Sequence, residues 1–195
     1  METYNEGTLR VYRYEDSKES VTAEKEPVIF LAGPTVRGNQ PHLISWRFEA
    51  IEIYKKIHFK GALVVPEFTS KIESDKDKSW VPMWEYNGLK RADCILFWIP
   101  RTKDKLIEGK IETGLIALTT NWEHGYWFAR DPKKVVYGRP DDAYRISYLD
   151  IMWNAINAEE NFYQESKPIT TEIQKTLAHT IGASITTALI LTRGY

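Results

Sequence analysis

The run VIFLAGPT, residues 28–35, decides the fold class of this chain. Its five consecutive apolar residues, Val28–Ala32, are typical of a strand that is buried on both faces. Gly33 and Pro34 follow at once, and both are residues that end a strand and turn the chain. Strands of this kind occur mainly in parallel sheets covered by helices, so the run predicts an α/β protein.

Further short apolar runs occur along the chain, and segments with helical spacing of apolar residues lie between them. This alternation predicts a three-layer α/β fold with a parallel sheet of about five strands. We place strands at residues 28–32, 62–66, 94–99, 133–137 and 146–149, and helices at residues 43–56, 81–91, 120–130, 150–165 and 170–191.

Length and composition limit how the chain is organised. Its 195 residues suffice for one domain that buries roughly 70% of the unfolded surface. Residues 1–26 are charged and interrupted, with weak strand character at 8–14, so we expect an N-terminal arm without a catalytic role. Residues 27–150 then form the main domain, and residues 151–195 form a helical extension of it.

Charge, hydropathy and cysteine content exclude several functional classes. The 26 Lys and Arg residues balance 27 Asp and Glu residues, so nothing favours binding to nucleic acid or to an anionic membrane surface. No apolar stretch approaches the ~20 residues of a membrane span. Cys94 is the only cysteine, which favours a reducing, cytoplasmic location. The four histidines lack the spacing of zinc ligands, so no metal site is predicted.

One edge of the predicted sheet collects several turn and polar residues. In parallel α/β sheets, ligands bind beyond the carboxyl ends of the strands. Gly33-Pro34, Glu67, Pro100 and residues 138–140 fall at this edge. Residues 102–118, beside it, are typical of either a long loop or an irregular hairpin, and such loops are often functional.

Residues 119–127, TTNWEHGYW, are typical of the first turn of a helix. Thr120 is a favourable N-cap, and Glu123 three residues later completes a capping-box pattern. Glu123 is therefore either a cap partner or a carboxylate that the helix start keeps ionised. An ionised, positioned glutamate can also attack an electrophilic carbon and form a covalent intermediate. The two interpretations are compatible.

Three further carboxylates each have a structural and a functional interpretation. Glu67 is either a solvated turn residue or a hydrogen-bond partner for a polar ligand. Asp93, directly before a strand, either caps or turns the chain or takes part in chemistry. Glu85 lies within a helix and is ordinarily a surface residue. In a cleft, however, Glu85 and Glu123 would form a pair suited to nucleophile and proton donor.

Seven short segments follow one another in a fixed order: IFLAGP (29–34), SWR (45–47), VPE (65–67), EYNGLKRAD (85–93), LFWIPR (96–101), TTNWEHG (119–125) and VVYGRP (135–140). In this order they resemble the nucleoside 2-deoxyribosyltransferase family. The resemblance covers about residues 27–150 and leaves out the N-terminal arm and the last helix.

The resemblance implies a flavodoxin-like fold and retaining transfer of 2-deoxyribose between nucleobases. Glu123 would be the nucleophile, and Glu85 would serve base protonation at a position where many members have an aspartate. Asp93 would have a structural or a chemical part. Nucleoside and free nucleobase would be the substrates, no metal or organic cofactor would be needed, and the chain would form a homo-oligomer.

The resemblance also implies a set of substrate-binding residues. Trp46 and Trp98 would form walls of the base pocket, and Asn121 would orient the sugar or Glu123. The complete implied set is Gly33, Pro34, Trp46, Arg47, Glu67, Trp98, Pro100 and Asn121.

Two other functions remain open with the same residues. A nucleotide N-glycoside hydrolase would use the same nucleophile, hold a 5′-phosphate through Arg37 or Arg47 and release the sugar to water. A non-catalytic nucleotide-binding module would use the fold for sensing alone.

Overall fold

The structure is a computed structural model that describes residues 2–4, 9–15, 26–36, 40, 43–68, 78–107, 109–158 and 167–192. Its strands are β1 Glu2–Tyr4, β2 Leu9–Tyr12, β3 Val28–Ala32, β4 Gly61–Val64, β5 Cys94–Trp98, β6 Lys105–Ile107, β7 Lys110–Glu112 and β8 Val135–Gly138. Its helices are α1 Trp46–Lys56, α2 Val81–Arg91, α3 Leu118–Arg130, α4 Ser147–Ala158 and α5 Leu177–Thr192, with a 3-10 turn at Pro132–Lys134.

Six of the described strands form one sheet in the order β1-β2-β4-β3-β5-β8. The edge strand β1 runs antiparallel to β2, whereas the other five strands are parallel to their neighbours. In the order β4-β3-β5-β8 the chain steps first to one side of β3 and then to the other, as in doubly wound flavodoxin-like sheets. The predicted three-layer flavodoxin-like fold with five parallel strands is confirmed.

The fifth parallel strand is not where the sequence pattern placed it. The strand predicted at residues 146–149 is wrong, because Ile146 precedes α4 and Leu149 lies in its first turn. These two buried residues are three positions apart and therefore share one helix face. The fifth strand is β2, within the predicted N-terminal arm, where buried and half-buried residues alternate.

Helices cover both faces of the sheet. On one face α2, α3 and α4 pack around a core that contains Phe30, Phe97 and Trp153. On the other face α1 and α5 pack around a core that contains Leu31 and Leu96. Because side chains of a strand alternate between faces, consecutive residues of β3 and β5 belong to different cores.

Two glycines permit close packing at the carboxyl end of β3. A Cβ on Gly88, within α2, would lie 2.9 Å from the Phe30 ring and 3.0 Å from Val64. A glycine weakens a helix. Here, however, Gly88 lets α2 approach the sheet closely, and this approach brings Glu85, one turn earlier in α2, toward β3. Gly33 has φ +151°, and a Cβ there would lie 2.2 Å from the Trp98 carbonyl oxygen.

Helix α3 begins earlier than the sequence pattern predicts. Its N-cap is Ala117, in the left-handed conformation with φ 59° and ψ 50° and without a side-chain cap hydrogen bond. Thr120 is a buried residue inside the first turn, so the N-cap role predicted for it is wrong. Glu123 therefore lies in the second turn, beyond the free N–H groups of the helix start.

The segment before α3 agrees with one predicted alternative, whereas a helix after α3 differs from expectation. Residues 102–118 contain the short hairpin β6–β7, one of the two predicted alternatives. Helix α5 begins at Leu177 rather than at residue 170, because Gln174 instead forms a parallel bridge with Gly138. Of the helix predicted over 150–165, the part from 159 onward lies outside the described residues.

None of the helices in the described ranges has both the length and the apolar character required to cross a membrane.

Replacing Gly33 by Ala is expected to lower the free energy of unfolding by about 1–3 kcal/mol, because the new Cβ meets a backbone carbonyl at a positive φ. Urea unfolding measures the change. Gly182→Ala in α5 is the control, since none of the described atoms lies within 4 Å of its Cβ position. This control should gain about 0.5–1 kcal/mol. Unchanged stability of Gly33→Ala would contradict the close packing.

Candidate functional site

A cavity of about 220 Å³ opens at the carboxyl end of β3. It is lined by residues 32–35, by residues 113–120, by Glu85 of α2 and by Glu123 of α3. The strand order of the sheet reverses at β3, and doubly wound sheets bind their ligands at such a point. The cavity therefore lies where this fold is expected to hold a ligand.

Two carboxyl groups, those of Glu85 and Glu123, face this cavity from different helices. Burial and, after it, the charge of Glu85 raise the pKa of Glu123 to about 7, against an opposing effect of Arg47. A helix N-terminus was expected to keep Glu123 ionised, and this expectation is wrong, because α3 starts five residues before it. Near neutral pH, Glu123 is thus divided between acid and carboxylate.

Glu85 has a hydrogen-bond partner that the sequence did not suggest. The Tyr14 hydroxyl donates to Oε1 of Glu85. Burial raises the pKa of Glu85, while the Tyr14 hydrogen bond and the charge of Arg47 act in the opposite direction. Both members of the carboxyl pair therefore hold a proton more tightly than they would in water.

Tyr14 belongs to the segment that was expected to have no catalytic role. It follows β2, which pairs in parallel with β4, and so it emerges at the same edge of the sheet as the cavity. Its ring is buried against Phe68, Trp80 and Trp84. Recognition of β2 as a parallel strand would have placed Tyr14 near the site.

Arg47 also lines the cavity, but its guanidinium group is committed to the protein. The side chain is 1% exposed. Its nitrogens donate to the carbonyl oxygens of Leu31 at 2.9 Å, Gly33 at 2.8 Å and Pro34 at 3.2 Å. Arg47 thus fixes the turn after β3 and supplies a positive charge near the two carboxyl groups. Its predicted role as a phosphate ligand does not fit these contacts, and Arg37 lies outside the described residues.

Glu67 supports Arg47 and does not line the cavity. Its carboxylate accepts from the Ser45 hydroxyl at 2.8 Å and from Arg47 Nη1 at 3.4 Å. The side chain is buried, so it is not the solvated turn residue of one interpretation. Its place among the substrate ligands, the other interpretation, does not fit its position either.

The two predicted walls of the base pocket lie behind the cavity. Trp46 packs under Gly33 and donates from Nε1 to the Pro34 carbonyl oxygen at 3.2 Å. Trp98 is buried in the core on the α1 and α5 side of the sheet. Pro100 does not line the cavity either. Trp46 thus supports the turn at Gly33 and Pro34 from behind, and these two turn residues border the open space.

Asp93 lies at the opposite edge of the sheet from the cavity. It directly precedes β5, and parallel strands place their first residues away from their carboxyl ends. Its Oδ2 accepts from the backbone N–H of Val28, at the start of β3, at 2.8 Å. The catalytic role predicted for Asp93 is therefore wrong, and the structural alternative fits.

Asn121 lies on the other side of α3, where it borders a second cavity of about 390 Å³ between α3 and α4. Its side-chain oxygen accepts from Arg101, so the role of orienting the sugar or Glu123 does not fit. His124 also lines this second cavity. Burial lowers the pKa of His124 to about 4, so this histidine is neutral and is separate from the acidic pair.

Sequence reasoning missed most of the wall formed by residues 113–120. Gln40 Nε2 donates to the carbonyl oxygens of Thr113 at 3.1 Å and Gly114 at 2.9 Å. This wall is therefore anchored to the loop that follows β3. The only earlier signal was the ambiguous segment 102–118 beside a strand end.

Within the described ranges, no group of three or more His, Cys, Asp or Glu side chains is placed to hold a metal ion. No protein-family model matches this sequence, and no curated protein matches it significantly.

The raised pKa of Glu123 gives stability a specific pH dependence. The folded state holds this proton up to about pH 7, whereas the unfolded chain releases it near the ordinary value of 4.5. The contribution of Glu123 to stability is therefore fully present below its pKa in the unfolded chain. This contribution is lost as the pH rises through its pKa in the folded protein.

Glu123→Gln is expected to be more stable than the wild type by about 1–3 kcal/mol at pH 8 and nearly equal at pH 4, because it removes this loss. Urea unfolding at the two pH values measures the difference. Glu49→Gln, on the exposed side of α1, is the control and should change stability by at most about 0.5 kcal/mol. A difference that is the same at both pH values would contradict the buried position of Glu123.

Proposed function

We propose that this protein is a nucleoside 2′-deoxyribosyltransferase, which transfers 2-deoxyribose between nucleobases with retention of configuration. The observation that carries the proposal is the pair Glu85 and Glu123, which face one cavity from two helices in different surroundings. Such pairs supply the nucleophile and the acid of retaining glycosyl transfer. The ordered segments that resemble the family support the same assignment.

In this proposal Glu123 is the nucleophile. Its carboxylate attacks the anomeric carbon, the C–N bond to the base breaks, and an ester between Glu123 and the sugar forms. The transition state is cationic, so a carboxylate held within about 3 Å stabilises it electrostatically. A second base then attacks the same carbon from the opposite face, which restores the original configuration.

Glu85 is the acid and base of the two steps. Its proton moves to a nitrogen of the leaving base as the C–N bond breaks, and the bonding electron pair leaves with the base. The Glu85 carboxylate then takes the N–H proton of the incoming base as the new C–N bond forms. Each transfer cycle thus returns both carboxyl groups to their starting state.

The electrostatics of the pair make a proton available in the site near neutral pH. The charge of Glu85 contributes to the raised pKa of Glu123, about 7, so ionisation of one group opposes ionisation of the other. Arg47 favours the ionised forms of both groups and keeps the pair from becoming fully protonated. One acid and one carboxylate are what the first chemical step requires.

The cavity supports a nucleoside rather than a nucleotide as substrate. Arg47 is the only Lys or Arg among the described residues that line it, and its guanidinium donates to carbonyl oxygens of the protein. A phosphate group would enter the cavity without a free cationic partner, which is costly in a buried site.

Two features support a cytoplasmic homo-oligomer as the working form. The single cysteine, Cys94, is buried and unpaired by any disulfide, as is usual in reducing compartments. Leu106 and Ile111 pair across the hairpin β6–β7 and are 74% and 75% exposed. Exposed apolar pairs of this kind, close to the cavity wall, suit contact with another copy of the chain.

Glu123→Ala is expected to reduce base exchange by at least about 10³-fold, because it removes the group that forms the covalent ester. The assay incubates the protein with 2′-deoxyinosine and adenine, or thymidine and adenine, and follows 2′-deoxyadenosine. The control Asp93→Asn changes a carboxylate at the opposite edge of the sheet and should stay within about threefold of the wild type.

Other outcomes of this assay would redirect the proposal. Unimpaired exchange by Glu123→Ala would remove it. Release of free sugar without exchange would indicate an N-glycoside hydrolase. Tight nucleotide binding without turnover would indicate a sensing module.

The wild type is expected to use 2′-deoxyinosine at least about tenfold more efficiently, in kcat/KM, than 2′-deoxyinosine 5′-monophosphate, because the cavity offers the phosphate no free cation. The two substrates are compared with adenine as acceptor. A preference for the monophosphate would show that a phosphate ligand lies outside the described residues, and Arg37 would be the first candidate.

A further inference from the structure

The contact between Tyr14 and Glu85 defines the direction of one hydrogen bond in the site. The Tyr14 hydroxyl donates to Oε1 of Glu85. Its other neighbours are the rings of Phe68, Trp80 and Trp84, and a ring offers a hydroxyl no comparable acceptor. Burial raises the pKa of Tyr14 far above its ordinary value, so the hydroxyl remains a donor at every pH at which the protein works.

This direction determines where the proton of Glu85 lies when the carboxyl group is neutral. A neutral carboxyl group has one oxygen that only accepts and one that carries the proton. Because Oε1 accepts from Tyr14, the favoured position of the proton is Oε2. Glu85 lines the cavity, and Oε2 is the oxygen that the Tyr14 contact leaves available to a substrate.

We propose that Tyr14 is a positioning residue, which keeps the acidic proton of Glu85 on the oxygen that meets the leaving base. This inference rests on the proposed function. Without the hydroxyl, the proton is shared between two equivalent oxygens, and one of these arrangements cannot protonate the base.

The same hydrogen bond stabilises Glu85 after its proton has moved to the base. When Glu85 gives its Oε2 proton to the base nitrogen, the C–N electron pair leaves with the base and Glu85 becomes a carboxylate. The Tyr14 hydroxyl then stabilises the new negative charge, as a hydrogen bond to an ionised group does. When the incoming base loses its N–H proton, that proton returns to Oε2 and the cycle closes.

The fold supports Tyr14 in this position through the N-terminal strands. Parallel pairing of β2 with β4 sets the level at which residues 13–15 leave the sheet. The backbone N–H of Tyr14 points to the carbonyl oxygen of Glu67 at 3.5 Å, and its ring is 8% exposed. Residues 9–15 are therefore tied to the site through β2.

The test compares Tyr14→Phe with the wild type on two leaving groups in single turnovers with enzyme in excess. Release of hypoxanthine from 2′-deoxyinosine needs a proton, and it should fall by about tenfold or more, part of the ~10²–10⁴-fold that general acids contribute. Release of 7-methylguanine from 7-methyl-2′-deoxyguanosine needs none, because the cationic base leaves as a neutral molecule. This second rate should stay within about twofold of the wild type.

The pH profile provides a readout that a merely structural role would not move. The Tyr14 hydrogen bond lowers the pKa of Glu85, so its removal should shift the high-pH limb of hypoxanthine release to higher pH. Tyr54→Phe is the matched control, since it also removes a buried hydroxyl contact, to Ser184 at 2.6 Å on the opposite face of the sheet. The control should lose stability to a similar extent without any shift of the profile.

A measurement without turnover separates failure of this inference from failure of the proposed function. Carbon-13 NMR of glutamate carboxyl groups, with the Glu85 signal assigned by its loss in Glu85→Gln, should show a higher Glu85 pKa in Tyr14→Phe. A shift of this signal in a protein that exchanges no bases would refute the transferase and retain the contact. Active enzyme with equal losses on both leaving groups and an unmoved pH profile would overturn the positioning role.

Discussion

Two carboxyl groups that share one cavity cannot both be ionised without repelling each other, and this constraint governs the site. Burial makes the repulsion stronger, because little water remains to screen it. The protein offsets part of it with Arg47, whose own charge is held by carbonyl oxygens of the turn after β3. Arg47 therefore fixes the main chain around the cavity. Its charge also opposes the rise in the pKa values of Glu85 and Glu123.

The parts of the fold that were predictable are those with a continuous apolar signal. β3 and β5 are buried along their whole length and read as unbroken runs, so the parallel sheet followed directly from them. β2 was harder to recognise, because a strand near the edge of the sheet alternates over only four residues. The strand at residues 146–149 was predicted wrongly for a different reason. Two apolar residues that share one helix face resemble, in sequence, a short apolar strand.

In the candidate site too, the sequence placed some residues and missed those whose position depends on side-chain direction or on contacts distant in sequence. Glu123 could be placed beside the strand ends from the helix pattern around it, whereas Glu85 was assigned to the site by the resemblance to the family, and both line the cavity. The roles of Trp46, Glu67 and Asn121 depended on which side of a turn or helix each side chain takes, and sequence spacing does not specify this. Tyr14 was missed because its contact with Glu85 spans 71 positions and depends on the pairing of β2 with β4.

Helix α5 has a consequence for how the chain acquires its structure during synthesis. Leu177, Ile181 and Ala188 of this helix cover the side of the sheet that carries Leu96 and Val136. Until α5 has been synthesised, only α1 covers this face of the sheet, and the apolar side chains that α5 would cover remain exposed. These side chains stay exposed until residues 177–192 have left the ribosomal exit tunnel, so nascent chains that lack α5 are suited to capture by chaperones.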